Sequence, residues 1–157
     1  MRTETASGVT AKTANGGQYA ALPYRVRAGA LEILLITTRR THRWIVPKGW
    51  LVDGQQPHDS AAVEALEEAG ISGDICAKPL GFYRYQKLRK SGEVVPCKVG
   101  VFAMKVTRQR RTWLEKDVRQ TRWYSAQDAA ALVGEPGLKP LILKFAATFA
   151  TPVATAH

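Results

Sequence analysis

Glu64, Glu67 and Glu68 are the residues whose types and spacing would do chemistry in this chain. On a helix turning about 100° per residue, positions i, i+3 and i+4 fall within roughly one third of the circumference, so the three carboxylates share one side. Like charges at that spacing repel, and no Lys or Arg stands within four residues to neutralise them. Hard oxygen donors gathered in this way suit Mg²⁺ or Mn²⁺. The plainer alternative is an acidic helix face turned to solvent.

The helix that must carry them is well marked. Asp59 or Ser60 can cap its start by accepting an orphan backbone N–H. The body, residues 61–69, is rich in Ala and Glu, and Gly70 stops it because glycine enters the left-handed conformation freely. Upstream, residues 18–26 and the apolar, β-branched run 31–37 read as two strands of a hairpin turning at Gly29. Residues 44–46 form a short strand ended by Pro47, followed by a loop at 48–54. Downstream, residues 75–86 and 94–106 are two longer strands joined around Ser91 and Gly92, and residues 119–124 are another. Residues 126–132 and 138–149 are the last helices. This order predicts an α+β domain, an α/β/α sandwich around a mixed β-sheet.

The 157 residues suit one domain. We expect a tail at residues 1–17, the domain at 18–150 and a second tail at 151–157. A hydrophobic fraction of 45% is too high for a disordered chain. No apolar run approaches the roughly 18 residues of a membrane span, and residues 1–17 lack the apolar stretch of a secretory signal. Cys76 and Cys97 are not a close-spaced pair, so they read as buried free thiols in a reducing cytoplasm. The net charge of +10 is unevenly placed. Residues 49–77 hold six acids and no Lys or Arg, whereas residues 78–122 hold thirteen basic residues against three acids. A nucleic-acid binder would use the basic frame but not the acidic centre, and no RNA-binding motif is present. A divalent-metal enzyme acting on phosphates uses both.

The stretch GWLVDGQQPHDSAAVEALEEAGI, residues 49–71, resembles the box that defines the Nudix hydrolases. That pattern runs from a glycine through a glutamate, an arginine and three further glutamates to a second glycine and an aliphatic residue. Gly49, Glu64, Glu67, Glu68, Gly70 and Ile71 fall at the matching positions. Gln55 replaces the first glutamate, Val63 the arginine, and Ala65 is a small aliphatic. Because the first glutamate and the arginine interact in the family, losing both avoids stranding one charge. The resemblance implies a hydrolase of diphosphate linkages in which Glu64, Glu67 and Glu68 bind Mg²⁺ or Mn²⁺ and Glu64 helps activate water. It also implies the Gly49 carbonyl as a ligand and a further carboxylate from a later loop, for which Glu115 is the candidate and Asp117 the alternative.

The likeness runs over about residues 18–145. RWIVPKGW (residues 43–50) and RQTRWYSAQDAAAL (residues 119–132) resemble the branch that hydrolyses diphosphoinositol polyphosphates and diadenosine polyphosphates. The implied partner is a phosphorylated small molecule, with no membrane or nucleic acid, and the protein a monomer or homodimer. Such a substrate needs cations, and Arg25, Arg43, Lys48 and Arg84 are the candidates. Trp44, Trp50 and Tyr83 are candidates to stack on a base, Trp44 suiting the core as well. His42 and His58 are loop histidines without an assigned part. The alternative is a Nudix-like module that has lost catalysis, through Gln55 and Val63, and binds a phosphorylated ligand.

Overall fold

The computed structural model describes residues 17–155; the expected N-terminal tail, Gly17 apart, lies outside them, as do the last two residues. The first strand, β1 (Gln18–Arg27), turns through Ala28 (φ 53°) and Gly29 (φ 79°) into β2 (Ala30–Thr37). Two consecutive left-handed residues make the tight turn whose twist matches antiparallel strands, and Arg27 pairs with Ala30 across it. Two short strands follow, β3 (Trp44–Ile45) and β4 (Lys48–Trp50), then the helix α1 (Pro57–Ala69). β5 (Ile71–Ile75), β6 (Gly81–Leu88), β7 (Val94–Gln109) and β8 (Thr121–Ser125) complete the sheet. A 3₁₀ turn at Lys116–Val118 precedes β8, and α2 (Ala126–Leu132) and α3 (Leu138–Thr155) close the chain.

The sheet is mixed. β1 and β7 run parallel through its centre, from Gln18 opposite Val99 to Tyr24 opposite Lys105. Each long strand serves two further partners: β1 pairs antiparallel with β4 near its start and with β2 near its end. β7 likewise pairs first with β6 and then with β5, and β2 takes β8 and β3.

Side chains alternate across the strands, and that period builds two cores. Ala20, Leu22, Ile33, Leu35, Val99 and Val101 face α2 and α3, meeting Ala129, Leu138, Ile142 and Phe145. Ala21, Leu34, Ile36, Phe102 and Met104 face the other way and meet Ala61, Ala65 and Ala69 of α1. Small residues on α1 let its backbone approach the sheet closely, which sets how near its glutamates stand to β4. The α/β/α sandwich is as the sequence led us to expect.

Some boundaries differ. α1 begins at Pro57, not at Asp59 or Ser60: Gln56 is its N-cap without a side-chain bond, and proline suits the first turn because its missing N–H would be unpaired there anyway. The loop expected from residue 48 starts as strand β4. The strand expected at residues 75–86 is two strands, β5 and β6, separated around Pro79, which cannot donate to a ladder. α3 continues through Thr155, past the helix end expected at residue 149. Cys97 is buried as expected, but Cys76 is exposed in the break between β5 and β6. Among the described residues no helix is long and apolar enough to cross a membrane.

Candidate active site

α1 lays its glutamates against β4. The register sets Gly49 opposite Tyr19, on the sheet face that α1 covers. There the Glu64 carboxylate fills the space a side chain at Gly49 would occupy: a Cβ would stand 2.4 Å from its carboxyl carbon. With the Glu64 side chain in this conformation, only glycine admits that approach. One turn further along α1, Glu68 is 7% exposed; its Oε1 accepts the backbone N–H of Lys48 at 3.2 Å. Gly49 and its neighbour are thus held directly to the helix.

Glu68 is strongly perturbed. Its pKa is pushed from 4.5 to about 8, first by burial, against the opposing pull of Arg119, and then by the charge of Glu64 and a hydrogen bond shared with it. The charge of Glu115 raises it further. Burial disfavours the ionised form, and a second carboxylate in contact disfavours it again. Both effects favour a proton on the pair.

Arg119 is the counterweight. Its Nη2 stands 3.6 Å from Glu68 Oε2, its Nε donates to Glu115 Oε1 at 2.7 Å, and its Nη1 donates to the Thr37 carbonyl at 3.0 Å. The segment carrying Glu115 is pinned to α1, because the Glu115 N–H donates to the Glu67 carbonyl and the Trp113 indole N–H to the Glu68 carbonyl.

The structure therefore brings Gly49, Glu64, Glu68 and Glu115 together. The Glu67 side chain is half-exposed on the same helix and joins neither the Glu64–Glu68 hydrogen bond nor the Arg119 pairs. Asp117 is exposed, so Glu115 is the better of the two later acids. Among the described residues no three carboxylate, imidazole or thiol groups already stand as a metal-holding cluster. The donor set still fits a hard divalent ion. It offers carboxylate oxygens and backbone at a glycine cradle, with negative charge that now needs a proton and an arginine to be tolerated.

The loop between Gly49 and α1 has its own tether. Ser60 is buried, accepts the Val52 N–H at 3.2 Å and donates to Gln55 Oε1 at 3.0 Å. Where the family pattern has a glutamate paired with an arginine, this chain closes the loop with neutral hydrogen bonds. Val63 needs no partner in that arrangement.

The expected phosphate-binding residues are scattered. Lys48 points to the opposite face of the sheet, where its side chain is 10% exposed and its ammonium lies 3.2 Å from Glu135 Oε2. It is not offered to a substrate on the Glu64 side. Arg25 is held by Glu32 at 2.7 Å and stacks over Trp123 at 4.0 Å. It stands five residues along β1 from the stretch that meets β4, roughly 16 Å away. Arg43 is exposed and lies along Gly134, while Arg84 is exposed on β6 opposite Lys98. Tyr83 is buried and donates to Glu135, so it cannot stack on a base. Trp44 packs on Tyr124 against the core, and Trp50 is half-buried. His42 is exposed with φ 54°, and His58 sits 3.5 Å from Asp59.

Arg119 and Glu135 escaped the sequence reading, and Ser60 entered it only as a candidate helix cap. Arg119 carried a signal, standing four residues after Glu115. Glu135 carried another, as the one acidic residue in positions 129–157. Neither reveals its partner until strands far apart in sequence are paired.

Comparisons with known proteins bear on the family and the fold. The NUDIX domain model matches residues 19–145. Nudix hydrolase 12, mitochondrial, of Arabidopsis thaliana is 32% identical over 105 residues, covering 65% of this chain and 52% of the relative. Diphosphoinositol polyphosphate phosphohydrolase 3-alpha of Mus musculus is 32% identical over 102 residues, covering 62% of this chain and 57% of the relative. The chain spans about half the length of the curated relatives it matches. In fold it is similar to the C. elegans Ap4A hydrolase crystal structure, with a TM-score of 0.65 and 24% identity over 85% of this chain and 97% of the other.

Proposed function

This chain belongs to the Nudix family, and on that premise we propose that it is a divalent-metal-dependent hydrolase of diphosphate linkages in a highly phosphorylated small molecule. The observation that carries this reading is the packing of the Glu64 carboxylate into the space left by Gly49, with Glu68 beside it. A helix face evolved only for solvent has no reason to bury a glutamate at the cost of a raised pKa.

Glu64 and Glu68 would hold the ion with the Gly49 backbone, and Glu67 and Glu115 would complete the oxygen donors. When bound, Mg²⁺ or Mn²⁺ supplies neutralising charge for the phosphate oxygens and lowers the pKa of a coordinated water. With the ion in place of the proton that Glu64 and Glu68 otherwise share, Glu64 would be free to accept one from the attacking water. Arg119 would keep Glu68 and Glu115 aligned throughout. The water would attack one phosphorus, and phosphate or a nucleotide would depart.

For the substrate, support comes from a hollow of about 410 Å³ bordered by Arg39, Arg40, Lys90 and Val118. Val118 directly precedes Arg119 in the chain, and on that ground we read these cations as further contacts for a substrate held at the carboxylates. Likeness to a diphosphoinositol polyphosphate phosphohydrolase and, in fold, to an Ap4A hydrolase points the same way. The binding-module alternative rested on Gln55 and Val63, and the Gln55–Ser60 tether meets the need they raised.

The test is a panel of nucleoside diphosphate, dinucleoside polyphosphate and diphosphoinositol polyphosphate substrates, each with Mg²⁺ and with chelator. We expect Mg²⁺-dependent release of phosphate or nucleotide. Glu64→Gln and Glu68→Gln should lose more than the roughly 10–100-fold typical of groups that only support metal ligands. Tight binding without turnover across the panel would instead favour the module.

A further inference from the structure

β4 is a weak element in a demanding place. It has three residues, and among the described residues its ladder is to β1 alone, from Gln18–Trp50 to Ala20–Lys48. Yet it carries Gly49 to within van der Waals reach of Glu64. What steadies it comes from both sides of the sheet. On the α1 side, Glu68 takes the Lys48 N–H. On the other side, the Lys48 side chain runs beneath the strand, passes 5.0 Å from the Tyr85 ring and ends on Glu135.

Glu135 is built to be immovable. It lies in the connection between α2 and α3 and is 5% exposed. Both carboxylate oxygens are engaged: Oε1 by the Tyr83 hydroxyl at 2.5 Å and Oε2 by the Lys48 ammonium at 3.2 Å. The connection itself is fastened, because Gly134 N–H donates to the Trp44 carbonyl at 3.0 Å. Gly137 passes so close to Tyr83 that a Cβ there would stand 2.7 Å from the tyrosine Cβ. Tyr85 is fixed in turn by donating to Gln18 Oε1 at 2.6 Å, and Gln18 lies in the stretch of β1 that β4 pairs with. A surface ion pair would hold nothing so firmly. A buried one is expensive to keep and adds little net stability over apolar side chains, so its presence calls for another reason.

We infer that Glu135 is a positioning residue: through Lys48 it fixes β4 from the α2–α3 side and so sets Gly49 against Glu64 and Glu68 for divalent-metal binding. The inference rests on the reading of those carboxylates as a metal site. Its chain of contacts runs from Glu135 to the Lys48 ammonium, along Lys48 to its backbone N–H, and from there to Glu68. Glu135 itself touches neither ion nor substrate.

The test measures Mn²⁺ affinity, by paramagnetic resonance of free Mn²⁺, beside the melting temperature. The proteins are the wild type, Glu135→Gln and the double variant Lys48→Met with Glu135→Gln. The single variant strands a buried ammonium, so its melting temperature falls. Its Mn²⁺ affinity should fall about tenfold or more, as for other supports behind metal ligands. The double variant removes both charges and should recover most of the melting temperature while its Mn²⁺ affinity stays low, because the tether is gone. A double variant that regains both, or a folded Glu135→Gln that binds Mn²⁺ like the wild type, overturns the inference and leaves the metal site standing. A wild type that binds no Mn²⁺ overturns the metal site, and the inference with it.

Discussion

Glu68 shows how one side chain can be read as both a liability and a tool. A buried carboxylate beside another carboxylate is held protonated well into the range where an exposed one is ionised, here to about pH 8. The folded chain therefore binds a proton that the unfolded chain has lost between about pH 4.5 and pH 8. Stability rises with pH only where the unfolded state holds more protons, and here the folded state holds more. Glu68 thus contributes fully below about pH 4.5, and its contribution drains away as pH rises towards 8. In chelator, the urea midpoint of the wild type should fall relative to that of Glu68→Gln across this window and run parallel to it above. With Mg²⁺ the fall should be offset, since the ion takes the place of the proton. Parallel curves from pH 4.5 to 8 in chelator would remove the charge argument from this site.

At the scale of elements, α1 is the piece that had to be right, and its end is more constrained than its sequence suggests. Gly70 caps it at φ 70° and ψ 24°, with its N–H on the Ala65 and Leu66 carbonyls. The left-handed conformation alone costs a non-glycine residue about 1–2 kcal/mol. In addition, a Cβ at Gly70 would stand 2.3 Å from the Trp113 ring, whose indole N–H holds the Glu68 carbonyl. Gly70→Ala should therefore lower the melting temperature by several degrees and also weaken metal binding, because Trp113 cannot yield without releasing the last turn of α1. A shift in melting temperature with unchanged metal affinity would separate the two effects and count against the Trp113 link. The helix, its glutamates and Gly49 were legible because periodicity and spacing are local properties. So was the hairpin at Gly29. The split of residues 71–88 into β5 and β6 was not, because both halves borrow their regularity from β7. Nor was the fate of Lys48: a lysine beside the site looks like a phosphate contact until strand pairing assigns it a face. Arg119 and Glu135 lay beyond the sequence for the same reason, since their partners are fixed by the sheet and not by spacing.

Seen whole, the molecule sets an acidic centre inside a basic frame, and the two have separable parts to play. The net charge of +10 draws polyanions at long range, over the roughly 10 Å that 0.1 M salt leaves unscreened. Close in, Arg39 and Arg40 from the loop after β2 meet Lys90 from the turn after β6 around one hollow. None of the three belongs to the carboxylate site, so they should act on binding and not on the chemical step. Each exposed cation contributes at most about 1 kcal/mol. Replacing all three with alanine should therefore raise KM for a dinucleoside or diphosphoinositol polyphosphate by roughly 10–100-fold and leave kcat nearly unchanged. A nucleoside diphosphate, with fewer phosphates to offer the three cations, should lose far less. The difference between substrates should also shrink as salt rises from 0.05 to 0.5 M, since screening removes what the cations supply (about one Debye length falls from 14 to 4 Å). Equal losses on the short and the highly phosphorylated substrate would mean that the frame acts only through net charge, and that the hollow lined by Arg39, Arg40 and Lys90 holds no part of the ligand.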